Sequence, residues 1–185
     1  MASWHEIAKN LPARDGYANL EVATAKKLDY VRKYLPELEE PHPKQLVLDV
    51  GCGPGTFLHV VQTMGHMGVG ILSPSANGKE GYADACRYFG VQVGWCHWGL
   101  DDPPFRLGDF DVVNGEGMLS MNPVELWPKM FADMAASLKP GGWCVQKVNA
   151  PSCEDKWNEI DAAAKGAGLT QVDYWPNGAW KWRKG

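Results

Sequence analysis

The residues best suited to chemistry lie in one short stretch, Val47-Leu48-Asp49-Val50-Gly51-Cys52-Gly53-Pro54-Gly55-Thr56. An apolar run ends in an acid, and three glycines then follow at alternate positions. Such glycines let a strand turn sharply into a helix while the backbone approaches a ligand closely. The helix start beyond them offers unpaired N–H groups to an anionic group such as a carboxylate. Asp49, at the strand end, can accept from a ligand amine or organise the loop. A lone G-x-G-x-G also occurs in dinucleotide-binding folds, so the loop by itself does not choose the ligand. A second chemical group is Glu116, which stands between Gly115 and Gly117 and offers a carboxylate as a general base or as an anchor for a substrate. His97, directly after a predicted strand, is a further candidate base.

The elements that must position these residues follow from the pattern. Gln45–Val50 is short and almost wholly apolar, as expected of a strand buried on both faces. Thr56–Met64 reads as a helix, Met67–Leu72 as a strand, Lys79–Phe89 as a helix and Val91–Cys96 as a strand. Asp102-Pro103-Pro104 breaks the chain before a strand at Phe110–Asn114. Pro123 opens a helix that runs to Leu138, Lys139-Pro140-Gly141-Gly142 stops it, and Trp143–Val148 is the next strand. Glu154–Ala167 is a last helix, and two strands around Pro176-Asn177-Gly178 form a hairpin. Ahead of the alternation lie a loose arm and a helix over Glu21–Tyr34, whose apolar stripe is Val22, Ala25, Leu28, Val31 and Leu35. The predicted fold is α/β: a doubly wound, mostly parallel seven-stranded sheet with helices on both faces and a C-terminal antiparallel hairpin. Residues 1–43 form an N-terminal arm and helix that cap the site, and residues 44–185 form the main domain, the whole folding as one compact unit. Ligands in such sheets sit at the carboxyl ends of the strands.

With those elements in order, VLDVGCGPGTF resembles motif I of the class I S-adenosylmethionine (SAM)-dependent methyltransferases. Phe110-Asp111-Val112-Val113 is similar to that family's fourth strand, and Leu138-Lys139-Pro140-Gly141-Gly142 to its turn into the fifth. The resemblance implies SAM as cofactor, held by Asp49, Gly51, Cys52, Gly53, Gly55 and Thr56 around its methionine part. It implies that Asn114, Gly115 and Glu116 lie where cofactor and acceptor meet, and that Tyr17 folds over the site from the N-terminal arm. The Asn/Asp-Pro-Pro-aromatic motif of nucleobase amine methylation is missing after the fourth strand.

The sequence departs from the family at two positions. Leu72 stands where an acid usually holds the ribose hydroxyls, so Ser73, Ser75 or Asn77 must substitute. Gly99 stands where a polar residue usually meets adenine. Asp101 or Asp102 can take that part in a shifted loop, or Trp98 can stack on the base while the backbone of Gly99-Leu100 meets its edge.

Composition narrows the classes further. The chain has 185 residues, 45% hydrophobic and 22% charged, with a net charge of −4. These values fit one soluble domain, and no run is long enough to span a bilayer. The N-terminus lacks the pattern of a signal peptide, so a cytoplasmic setting is expected. The acidic balance argues against nucleic acid as partner. Lys181, Arg183 and Lys184, interleaved with Trp180 and Trp182, are expected to be an exposed strand end. Five cysteines without a C-x-x-C pair suggest reduced thiols rather than disulfides or zinc, and no metal site is predicted. Of the nine tryptophans, Trp95, Trp98, Trp127, Trp143, Trp157 and Trp175 fall in or beside predicted elements and are expected to pack. The resulting reading is a methyltransferase for an oxygen or nitrogen of a small-molecule or glycan-type acceptor. The alternative is a SAM-fold protein that serves as a binding or regulatory partner. A methyltransferase for protein or RNA is a third reading, and a nicotinamide oxidoreductase fits least, because it would want a longer chain and the G-x-G-x-x-G spacing. The oligomeric state is not legible.

Overall fold

The computed structural model describes residues 2–12, 17–39, 43–75, 79–105, 108–148 and 156–185. Seven strands form one sheet: β1 (Leu46–Val50), β2 (Met67–Leu72), β3 (Gln92–Trp95), β4 (Phe110–Glu116), β5 (Leu138–Lys147), β6 (Leu169–Trp175) and β7 (Ala179–Lys184). Their order is β3-β2-β1-β4-β5-β7-β6. The first five are mutually parallel, while β7 runs antiparallel between β5 and the edge strand β6. Strand order reverses between β1 and β4, so a crevice opens beyond their carboxyl ends. Asp49 and Asn114 are register partners at that point.

Alternation along the strands feeds two cores. Leu48, Val50, Val113 and Cys144 join one core with α5 (Trp127–Ser137) and the later helix α6 (Trp157–Gly166). Val47, Val112 and Val145 join the other, with α1 (Trp4–Ala8), α2 (Leu20–Tyr34), α3 (Thr56–Thr63) and α4 (Lys79–Tyr88). The two-residue period of a strand therefore builds both layers from one short sequence run.

Several expectations are corrected. The first dozen residues are not a loose arm. Ser3 and Glu6 form a capping box that starts α1, and Trp4 packs on the rings of Tyr88 and Phe89 at 5.6 and 5.0 Å. The buried face of α2 is Ala23, Tyr30, Val31 and Tyr34, while Val22 of the predicted stripe is exposed. Two tyrosine rings bury more area than Val22 and Ala25 would, and Tyr30 gains a hydrogen bond inside. Pro123 opens a 3-10 turn over Val124–Leu126, and α5 starts at Trp127, with Pro128 in its first turn. The chain passes from α5 into β5 at Leu138, five residues before the predicted strand, because Leu138 pairs with Phe110 across a bulge. The last helix begins at Trp157 in the described residues, and the predicted start at Glu154 lies outside them.

The basic-aromatic tail is also different. Trp180, Lys181 and Trp182 are buried, while Arg183 is exposed as expected and Lys184 is half-buried. Lys181 pairs with Glu37 and lies over the Trp143 ring at 4.6 Å, so β7 is an interior strand whose ammonium group is paired. The hairpin ties back to α2, where the Asn177 side-chain N–H donates to the Tyr34 hydroxyl at 2.6 Å. The four cysteines among the described residues are free and buried.

Candidate cofactor and acceptor site

At the strand switch, β1 delivers Asp49 and β4 delivers Asn114, both buried. The Asn114 amide donates to Asp49 Oδ1 at 2.7 Å, and the Tyr30 hydroxyl from α2 donates to Asn114 Oδ1 at 2.8 Å. Burial pushes the Asp49 carboxyl up to about 7, against the lowering effect of the Asn114 bond and of nearby Lys27. Burial, with the charges of Glu116 and Asp49, likewise pushes the Tyr30 phenol well above its ordinary value.

The glycine loop follows Asp49. The N–H groups of Gly51 and Cys52 both donate to the Ile71 carbonyl, at 2.9 and 3.1 Å, which fixes the turn against β2. Gly51 has φ +80°, and a Cβ there would lie 2.4 Å from Met118 Sδ, so only glycine fits. A Cβ at Gly53 would point toward the Tyr17 hydroxyl 3.7 Å away, into the space between loop and N-terminal segment. Gly55 caps α3 without a side-chain bond, so the first N–H groups of that helix stay available. Thr56 Oγ1 is buried with no hydrogen-bond partner.

Asp49, Gly51, Cys52, Gly53, Thr56 and Asn114 line a cavity of about 530 Å³ together with Lys27, Tyr30 and Tyr34 of α2, Glu116 of β4 and Lys147 of β5. Ala23, Lys27, Tyr30 and Tyr34 follow a helical i, i+4, i+7, i+11 spacing, which turns one stripe of α2 inward. The indole N–H of Trp4 donates to the Tyr17 carbonyl at 3.1 Å, so α1 holds Tyr17 at the cavity wall. Glu116 pairs with Lys27 and, at 3.2 Å, with Lys147. Burial raises the Glu116 carboxyl, but the two lysines overcome it and hold the group below its ordinary value.

The cavity therefore brings together Tyr17, Asp49, Gly51, Cys52, Gly53, Thr56, Asn114 and Glu116 from the sequence reading. A second set does not line it. Leu72 is buried at the end of β2, and Ser73 Oγ lies 3.0 Å from Ser75 Oγ. Trp98 packs in the core beneath α5, its indole N–H donating to the Met130 carbonyl at 3.2 Å. A Cβ on Gly99 would meet Met130 Cγ at 2.5 Å, and Leu100 is 64% exposed. The carboxylate of Asp101 caps the His97 N–H at 2.8 Å, and the His97 ring lies 3.3 Å from both Asp101 and Ser75. Gly55 and Gly115 sit behind the wall: a Cβ at Gly115 would meet Gln146 Oε1 at 2.4 Å, and one at Gly55 would meet Cys86 Sγ at 3.0 Å. Asn77, the third substitute for the acid at Leu72, lies outside the described residues.

Sequence reasoning missed Lys27, Tyr30, Tyr34 and Lys147. The signal for the first three was the spacing Lys27, Tyr30, Tyr34 on a helix adjoining the loop. Lys147 had no local signal.

Residues 47–142 match the family described as "methyltransferase domain", which is more than half of the chain. The chain belongs to the class I methyltransferase family. Its cofactor is S-adenosylmethionine and its reaction is methyl transfer, and both come to this chain with that membership. The fold agrees with solved structures. One is a TehB-like SAM-dependent methyltransferase from Corynebacterium glutamicum, 17% identical, TM-score 0.66, covering 88% of this chain and 87% of that one. A geranyl diphosphate C-methyltransferase from Streptomyces coelicolor is 16% identical, TM-score 0.62, covering 90% and 70%. CalS10, an amino pentose methyltransferase from Micromonospora echinaspora, is 17% identical, TM-score 0.61, covering 90% and 92%. Two other similar structures are longer, and the chain spans 64% of each. No curated protein matches the sequence. Among the described residues no helix is long and apolar enough to cross a membrane, and no cluster of three or more His, Cys, Asp or Glu could hold a metal ion.

Proposed function

We propose that this methyltransferase moves a methyl group from SAM to an oxygen or nitrogen of a small-molecule or glycan-type acceptor held in the cavity under α2. The observation that carries the reading is the meeting of the glycine loop with Asp49, Asn114, Glu116 and Tyr17 around one cavity. The methionine end of the cofactor fits these residues. Asp49 receives its ammonium group, the N–H groups at the start of α3 receive its carboxylate, and the partnerless Thr56 Oγ1 adds a hydroxyl. When bound, the cofactor would supply an electrophilic methyl on a positively charged sulfur, with the neutral thioether as leaving group and the acceptor's proton passing to solvent. In-line placement of the acceptor supplies much of the rate. Glu116 stays ionised between its lysines, which suits it to orient the acceptor more than to strip a hydroxyl proton.

Residues 1–43 act in this reading as the cap of the acceptor side, because Tyr17, Lys27, Tyr30 and Tyr34 all reach the cavity from them. Acceptors named for the neighbours, an amino pentose and geranyl diphosphate, support a small acceptor here too. A second reading, a SAM-fold partner or regulatory chain, is favoured only by the apolar, buried Leu72 at the position of the ribose acid. Incubation with methyl-labelled SAM and a whole-cell extract separates the readings. Label in the small-molecule fraction is expected. Label confined to protein or RNA would redirect the acceptor, and no label above a heat-killed control, despite cofactor binding, would favour the partner role.

A further inference from the structure

The cavity differs in charge from the molecule around it. The chain carries a net charge of −4. Yet Lys26, Lys27, Lys33 and Lys147 face the cavity, against Asp29, Asp49 and Glu116. Two of the lysines are half-buried. Lys27 and Lys147 come from α2 and β5, flank the Glu116 carboxylate, and lie 5.8 and 6.0 Å from the centre of the Tyr30 ring. Their side chains are only 20% and 32% exposed. Lys26, Lys33 and Asp29 are exposed at the rim, so positive charge exceeds negative there as well.

Glu116 is thus one carboxylate between two ammonium groups. Asp49 is already engaged by Asn114 and, with its carboxyl near 7, supplies only part of a negative charge at neutral pH. The two ammonium groups share the one Glu116 carboxylate and outnumber it, so the centre of the cavity keeps a positive surplus that a bound anion would match. Tyr17 lines the same space, its hydroxyl 3.7 Å from where a Cβ on Gly53 would lie, and favours a polar occupant. We infer that the methyl acceptor is a small anionic molecule whose carboxylate or phosphate group is held between Lys27 and Lys147 beside Glu116. The inference rests on reading this cavity as the acceptor site. A cationic amine would meet repulsion there, and a neutral sugar would leave the surplus ammonium unmatched.

The test is calorimetric titration with inorganic phosphate, and separately with acetate. It is run on the free protein and on the protein saturated with S-adenosylhomocysteine, with chloride at equal ionic strength as the blank. Saturable binding of either anion to the saturated protein is expected. Glu116→Gln, which removes the competing carboxylate, should tighten it about fivefold, while Lys147→Met should weaken it about tenfold. The opposite signs separate a local effect from damage to the fold. Response to acetate alone would assign a carboxylate, and response to phosphate alone a phosphate. No binding beyond chloride, or anion affinity unchanged in both variants, would overturn the inference. So would phosphate that competes with S-adenosylhomocysteine, because the lysines would then serve the cofactor's own carboxylate. If S-adenosylhomocysteine itself fails to bind, the cofactor reading fails, and the free-protein titrations still decide the anion site.

Discussion

The two halves of the sheet's carboxyl edge are furnished differently. At the β1–β4 end, a buried acid, a buried amide and a buried phenol form a bonded chain, Asp49–Asn114–Tyr30, beside a glycine loop fixed by the Ile71 carbonyl. At the β2–β3 end, Leu72 is apolar, Ser73 bonds to Ser75, and Trp98 and Gly99 are committed to packing against α5. The first end offers charged hydrogen bonds in a low-dielectric setting, each worth roughly 1.5–3 kcal/mol, and the second offers neutral hydroxyls worth about 1 kcal/mol. On the proposed reading, the contrast teaches where recognition concentrates: the methionine end of the cofactor should carry the affinity, and the ribose end should contribute little.

Removing the acid at the strong end has the largest expected effect. Asp49→Ala should lower the affinity for S-adenosylhomocysteine about a hundredfold or more by calorimetry, and a loss under threefold would erase the contrast. The same carboxyl sets a pH dependence. Because it titrates near 7 and must be ionised to receive an ammonium group, affinity should rise about tenfold from pH 6 to pH 8. Asp49→Asn should flatten that profile. The stability of the unliganded fold moves the other way. The folded state holds its proton up to about 7, well above an unfolded aspartate, so stability is greatest below the unfolded value and declines as pH rises through that window. Chemical denaturation at pH 5 and pH 8 checks this, with Asp49→Asn removing the decline.

The weak end can be strengthened. Ser73→Asp places a carboxylate next to the ribose position on a half-buried residue, and should tighten S-adenosylhomocysteine three- to tenfold. Ser73→Ala should change affinity less than threefold, and a larger loss would mean that the serine already does the work of the acid. The smallest expected effect on binding is at Trp98. Trp98→Phe should leave cofactor affinity unchanged while lowering stability by about 1–2 kcal/mol in urea unfolding, because it removes the bond to the Met130 carbonyl and part of a buried ring. A matching loss of affinity would put the indole on adenine after all.

Strands, loop and order of elements were largely legible because they depend on local pattern. QLVLDV is a buried parallel strand by composition, and the glycines of Gly51–Gly55 turn it by conformational freedom. The face of α2 was not legible, since Val22 and Ala25 compete with Tyr30 and Tyr34 by apolarity alone. Partners distant in sequence decide in favour of the tyrosines, Asn114 for Tyr30 and Asn177 for Tyr34. The tail misled for a related reason. Lys181 looks like a surface charge until Glu37, 144 positions away in sequence, pairs with it.

By itself, then, the sequence determined the family and the glycine loop that follows Asp49, because a turn into a helix and an acid at a strand end are short-range features. The tertiary structure decided which other residues share the cavity. Lys27 and Lys147 stand on separate elements, and they meet at Glu116 only because the strand order reverses at β1 and β4 and α2 folds back over that point. Charge surplus in a pocket is a property of such long-range meeting, and no local pattern carries it.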